Sequence, residues 1–224
     1  MRRGVRGFAA IGMSLIGLAL IGPGPAMAGT LDQQQTDASG ADTEIYATQS
    51  AAQTFTAGLS GGLDQVDLSL GTSASPTSYL SVEIRDVSGG PGSMILASRS
   101  VPASSVSGTP AFRSIKFSPP ALVVTGTQYA IVVYSSTPPG NVYTWGGITG
   151  TYPGGEEFLN NGPSPPSGAW NPVAVLDHAF KTYVVPSPTA TTGQRAAALK
   201  KCKKKKHSAR ARKKCRKKAQ LLPV

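Results

Sequence analysis

Leu80-Ser81-Val82-Glu83-Ile84-Arg85, followed by Ser88-Gly89-Gly90-Pro91-Gly92, sets the structural class of this chain. Leu80, Val82 and Ile84 alternate with Ser81, Glu83 and Arg85. That period of two describes a strand with one buried and one wet face. The glycine- and proline-rich stretch after it is a turn, because glycine reaches positive φ and proline presets its own. Another short strand over 94–100 follows. Working outward, Val66, Leu68 and Leu70 alternate in the same way with Asp67 and Ser69. Short strands are also expected over 113–117 and, after Pro119-Pro120, over 122–124. Gln128-Tyr129-Ala130-Ile131-Val132-Val133-Tyr134 is apolar on both parities, so it predicts a central strand covered on both sides. Runs over 141–148 and 176–185 complete the set.

Nowhere in 29–193 do apolar residues recur at helical spacing over a long stretch. Eight or nine short strands separated by turns predict an all-β, antiparallel two-sheet sandwich, with a jelly roll expected and a closed barrel as the alternative. The region 149–172 is different: long, rich in Gly, Pro and Asn, and carrying Tyr152, Glu156, Glu157 and Trp170. A loop of that length is expected to be functional or disordered.

The two ends of the chain are not part of this pattern. Arg2, Arg3 and Arg6 precede an apolar run over 8–22, then Pro23-Gly24-Pro25 and Ala26-Met27-Ala28. A basic start, a short apolar core and an Ala-x-Ala end read as a secretory signal peptide over 1–28. The expected organisation is then a sandwich over 29–185, a Pro/Thr/Ser linker over 186–193 and a tail over 194–224. All eleven acids precede the tail, which has fourteen basic residues and no carboxylate. The five basic residues between leader and tail leave that part at −6, so the +11 of the whole chain belongs to its ends.

Gln53-Thr54-Phe55-Thr56-Ala57-Gly58, Leu63-Asp64-Gln65-Val66, Leu80 to Arg85, Gly126-Thr127-Gln128-Tyr129-Ala130-Ile131-Val132 and Phe180-Lys181-Thr182-Tyr183-Val184 occur in this order. Together, across most of 49–185, they resemble the choice-of-anchor β-sandwich domains of secreted bacterial proteins, which are similar in kind to carbohydrate-binding modules. The Lys-rich tail with its cysteines resembles tails on exported actinobacterial proteins. The resemblance implies surface-associated binding or architecture and supplies no catalytic residue.

The residues themselves also argue against catalysis. The only histidines are His178 and His207. His178 shares strand parity with Phe180 and Val184, which predicts a packed, hydrogen-bonded ring. No Gly-x-Ser-x-Gly elbow, His-Glu-x-x-His pair, paired His/Cys spacing or phosphate-binding glycine loop occurs. Glu156 and Glu157, near Tyr152 and Trp170, are the one carboxylate pair a glycan hydrolase could use. A solvated charged loop is the favoured reading of them. Asp32, Asp37, Asp42 and Glu44 match no calcium loop and read as solvated acids. No cofactor and no metal are expected. For ligand binding, Tyr143, Trp145, Tyr152 and Trp170 are the candidates, since aromatic rings stack on the C–H faces of sugars. Core packing is the competing expectation for Tyr143 and Trp145, whose alternation puts them on one face.

The tail supplies the candidate polyanion-binding residues: Lys200, Lys201, Lys203, Lys204, Lys205, Lys206, Arg210, Arg212, Lys213, Lys214, Arg216, Lys217 and Lys218. In an exported chain the partner is an anionic wall polymer or another extracellular polyanion, and not intracellular nucleic acid. The tail is expected to be helical or disordered, and 196–218 is rich in Ala, Lys, Arg and Leu, all good helix formers. Cys202 and Cys215, the only cysteines, are disulfide candidates. On one straight helix their offset spans about 20 Å, whereas a disulfide needs Cα atoms about 4.4–6.8 Å apart. Either the segment turns near His207-Ser208 and closes on itself, or the thiols pair between chains, or they stay free. The expected function is a non-catalytic, secreted or wall-associated binding or architectural module with no membrane span after leader removal. A secreted glycan-acting hydrolase is the alternative.

Overall fold

The structure, a computed structural model, describes residues 29–150, 152–186, 194–204 and 209–220. The expected leader and the linker residues 187–193 lie outside the described residues. Among the described residues, thirteen strands form two antiparallel sheets. The first contains β1 (Thr30–Gln35), β2 (Asp42–Ile45), β4 (Gly61–Thr72), β7 (Ala111–Val123), β9 (Tyr143–Thr149), β12 (Leu176–His178) and β13 (Phe180–Pro186). The second contains β3 (Ser50–Thr56), β5 (Leu80–Val87), β6 (Pro91–Val101), β8 (Gln128–Ser135), β10 (Glu157–Asn160) and β11 (Asn171–Val173).

The pairing identifies the topology. In the first sheet β1, β13, β4 and β7 lie side by side. In the second the order is β3, β8, β5, β6. Followed along the chain, these eight strands cross between the sheets in the order of a jelly roll. The sandwich is therefore all-β and antiparallel, as expected, and not a closed barrel. The other strands are additions at one end. β10 and β11 extend the second sheet beyond β3, while β2 and β12 pair with β9, which itself continues alongside β4. Four of these five additions lie between β8 and β13 in the chain, and the region read as a long loop, 149–172, contains β10 and the start of β11 within otherwise irregular backbone.

Between the sheets sits the core, with Trp145, Tyr143, Phe55, Phe180, Leu70 and Ile131 among its fully buried side chains. Removing one such side chain from water contributes about 1.5–3 kcal/mol. β8 lies between β3 and β5, and its residues from Tyr129 to Val133 are all buried, as the apolar run predicts. The two runs read on either side of Pro119-Pro120 are one strand, β7. Its register against β4 breaks where Gln65 pairs Lys116 but Leu63 pairs Ala121, so the prolines occupy a bulge. β7 pairs only β4, and an edge strand tolerates the missing N–H donors there.

Two expectations of a wet face fail. Asp67 and Ser69 on β4 are buried, as are Glu83 and Arg85 on β5. Asp67 Oδ2 accepts the phenol of Tyr183 at 3.0 Å, and Glu83 pairs with Arg85, so each acid is retained by a partner that alternation alone does not show. The run 176–185 also divides. Ala179 separates β12 from β13; its N–H donates to Gly146 and its carbonyl accepts both the Ser69 N–H and the Trp145 indole N–H.

The tail forms two helices, α1 (Gln194–Lys204) and α2 (Ala209–Gln220), which pack together. Cys202 and Cys215 form a disulfide within the chain, with a Cα–Cα distance of 5.8 Å. The single straight helix is thereby excluded, and so are interchain pairing and free thiols. The turn expected near His207-Ser208 falls outside the described residues.

Candidate functional site

The additions between β8 and β13 bring polar side chains from both sheets into the interior. Glu157 on β10 is fully buried, and its Oε1 lies 3.2 Å from His178 Nε2 on β12. Thr43 on β2 donates its hydroxyl to the same oxygen at 3.0 Å. The His178 ring stacks on Trp145, with centroids 4.1 Å apart and planes 8° from parallel. Its backbone N–H donates to Gln53 Oε1 on β3 at 2.8 Å, and Gln53 Nε2 donates to Asp177 Oδ1 at 3.2 Å. Asp177 Oδ2 accepts the backbone N–H of Tyr152 at 2.8 Å. The cluster thus ties β2, β3, β10 and β12 to the segment before β10. Gly155 lies in that segment because a Cβ there would fall 2.0 Å from the Thr54 carbonyl oxygen.

This geometry corrects the reading of Glu156 and Glu157 as one solvated pair. Glu156 is exposed, while Glu157 points into the interior against His178. With Glu156 in solvent and Glu157 enclosed in the interior, the two carboxylates cannot flank one sugar. His178 is packed, as its strand parity predicts, but its ring is not hydrogen-bonded: both ring nitrogens are buried without a hydrogen-bond partner, Nε2 only lying 3.2 Å from Glu157 Oε1. Among the described residues, no group of three or more His, Cys, Asp and Glu side chains converges as a metal site would require.

The four aromatic candidates do not come together. Tyr143 and Trp145 have no exposed surface and belong to the core, so no ligand reaches them. The Tyr143 phenol donates to the Ser78 carbonyl at 2.6 Å. Tyr152 is half-buried, edge-on to Phe180, and donates its hydroxyl to Gln33. It borders a depression of about 360 Å³ beside Glu156 and Asp177. Burial pushes the phenols of Tyr143 and Tyr152 up to about 12. A phenol whose pKa rises on folding favours the folded state below about pH 10, and this contribution disappears as pH rises through the folded value. The melting temperature should therefore hold to about pH 9 and fall between about pH 10 and 12, less steeply in Tyr152→Phe. A melting temperature unchanged up to pH 12 would contradict this.

Trp170 is placed elsewhere, on the outer face of the second sheet. It packs at the margin of a small apolar cluster made by Ala52, Ala130, Val132 and Phe158. It lines a groove of about 420 Å³ with Tyr134, Glu83, Arg85, Pro165 and Ile95. A second depression of about 340 Å³ adjoins it, sharing Tyr134 and Pro165 and reaching the exposed Tyr79. At the floor, Arg85 Nε donates to Glu83 Oε2 at 2.7 Å and the Tyr134 hydroxyl donates to Glu83 Oε1 at 2.7 Å. Burial, reinforced by Glu83, raises the Tyr134 phenol above its usual value. The sequence gives no direct sign of these partners, although opposite charges two apart on one strand face are a pattern that a buried pair can produce.

The helical tail is the remaining candidate. Lys200, Lys201, Arg212, Lys213, Lys214, Arg216, Lys217 and Lys218 are exposed on α1 and α2. Lys203, Lys204 and Arg210 lie on the helix backbones, and Lys205 and Lys206 lie outside the described residues. Cys202 and Ala219 are buried. No helix among the described residues is long and apolar enough to cross a membrane. No family model matches the chain, and no curated protein matches it.

Proposed function

We propose that the chain is an exported, non-catalytic β-sandwich module that its basic tail retains at an anionic envelope polymer. The observation that carries this reading is the Cys202–Cys215 disulfide, which clasps two lysine- and arginine-rich helices that contain no carboxylate. Like charges held this close repel one another, and a polyanion relieves that repulsion on binding. The −6 of residues 29–193 is too small to neutralise the tail's fourteen cations, so charge remains for an external partner. A disulfide in such a tail suits an oxidising exterior, in keeping with the secretory leader read in residues 1–28. The likeness to choice-of-anchor domains fits the same picture, since those are surface-associated modules built on β-sandwiches. The hydrolase reading loses its main support with Glu157 buried.

The full chain should bind a phosphate-bearing wall polymer at low ionic strength and elute as NaCl approaches about 1 M, where screening shortens to about 3 Å. A chain ending at Gly193 should not be retained. If the shortened chain still fractionates with the envelope, the tail is not the anchor.

A further inference from the structure

We propose that the groove on the outer face of the second sheet binds a neutral oligosaccharide, held across Trp170, the Tyr134–Glu83–Arg85 floor and Tyr79. This rests on the reading of the sandwich as a binding module and names the ligand class and residues of that function.

The floor is the first part of the argument. Glu83 and Arg85 are 4% and 6% exposed, yet both line the groove. Their ion pair, 2.6 Å at Arg85 Nη2, cancels charge within the site. The groove's lining contains no other charged residue, so neither an anionic nor a cationic ligand finds a counter-charge. Hydrogen-bonding capacity nevertheless remains. Arg85 has five N–H donors, of which Nε and Nη2 engage Glu83, while Nη1 reaches the Gly92 carbonyl only at 3.5 Å. The Tyr134 hydroxyl, which donates to Glu83, still has lone pairs to accept with. Donors and acceptors fixed by a buried pair, without net charge, match an uncharged polyol.

The walls are the second part. Trp170, Tyr134, Pro165 and Pro166 supply flat, rigid apolar surface. The adjoining depression adds serine hydroxyls, Ser81 and Ser136 among them, and ends at Tyr79, which is 62% exposed. Apolar faces alternating with hydroxyl-scale hydrogen bonding are the complement of a sugar ring, which has C–H faces and a hydroxyl rim. Each depression falls within the usual range of about 300–1,000 Å³ for a ligand site. Because they share Tyr134 and Pro165, one chain of sugars can occupy both.

The test uses the full-length protein in about 0.5 M NaCl, which suppresses binding by the basic tail. Four soluble neutral polysaccharides, a glucan, a mannan, a galactan and an arabinan, serve as probes in affinity electrophoresis and calorimetry. Retardation by at least one is expected. Trp170→Ala should weaken that binding about tenfold or more, and Tyr79→Ala about threefold, with circular dichroism melts confirming that each variant is folded. Tyr79→Ala alters an exposed side chain, so it keeps the test informative if Trp170→Ala fails to fold. Retardation by none of the four, or binding unaffected by either folded variant, overturns the proposal. So does preferential binding of a proline-rich peptide or an acidic polysaccharide at the same salt concentration. Loss of tail-dependent envelope retention would leave these results unchanged, so the two readings fail separately.

Discussion

Replacing His178 by alanine is expected to destabilise the sandwich by about 3–5 kcal/mol, the usual cost of truncating a fully buried ring to alanine. Glu157 is fully buried, and without the imidazole its carboxylate keeps only the Thr43 hydroxyl as a partner. The substitution also leaves a void against the Trp145 indole, on which the His178 ring stacks. For a domain of this size each kcal/mol moves the melting temperature by about 2–4 °C, so a fall of about 6–20 °C is expected. Glu157→Ala should also be costly, because it strands the imidazole and the Thr43 hydroxyl. Replacing both partners, as His178→Phe with Glu157→Leu, should cost much less than the two single losses together, since only the Thr43 hydroxyl then loses its partner and the ring-sized space stays filled. Thermal melts of the four proteins compare losing one partner with replacing both by apolar side chains. A His178→Ala variant that melts within about 2 °C of the parent would show that the pair does not hold β10 to β12.

That pair also marks where sequence reading stops. The stretch Gln128 to Tyr134 is legible because a strand segment buried on both faces has to be apolar at every position, and β8 is so from Tyr129 to Val133. Tyr143 and Trp145 are legible as core for a related reason: alternating large aromatics on a central strand have nowhere else to go. Alternation misleads where the second face is buried too. Glu83, Arg85 and Asp67 look like a solvated face, and only their partners across the sheet, Tyr134 and Tyr183, show why burial is tolerated. β10 and β11 have four and three residues, too few for a period of two to emerge from a run of glycine and proline. Trp170 is the aromatic candidate that the structure places in the outer-face groove, and its companions there, Tyr134 and Tyr79, come from strand β8 and the segment before β5. No spacing rule connects those three positions. The jelly-roll order brings them together by placing β8 beside β5 and adding β10 and β11 at the margin.

The second large effect belongs to the tail. With Cys202→Ser and Cys215→Ser, most of the helical signal of α1 and α2 should be lost while the melting of the sandwich stays unchanged. Helices of eleven and twelve residues are at or below the length at which an isolated helix is marginal in water. Neither carries an acid to form stabilising pairs with its lysines and arginines. Closing a loop of about this size contributes about 3 kcal/mol toward holding the two basic helices together. Far-UV circular dichroism of the full chain reads the loss directly, and reduction of the parent protein should reproduce it. Salt separates charge from shape: about 1 M NaCl should return part of the helix in the serine variant by screening the repulsion. The variant keeps every cation, so its binding to an anionic polymer should keep its salt dependence even as affinity falls. Undiminished helix in the serine variant at low salt would mean that the cysteines do not hold the tail's shape, and that its fold has another origin.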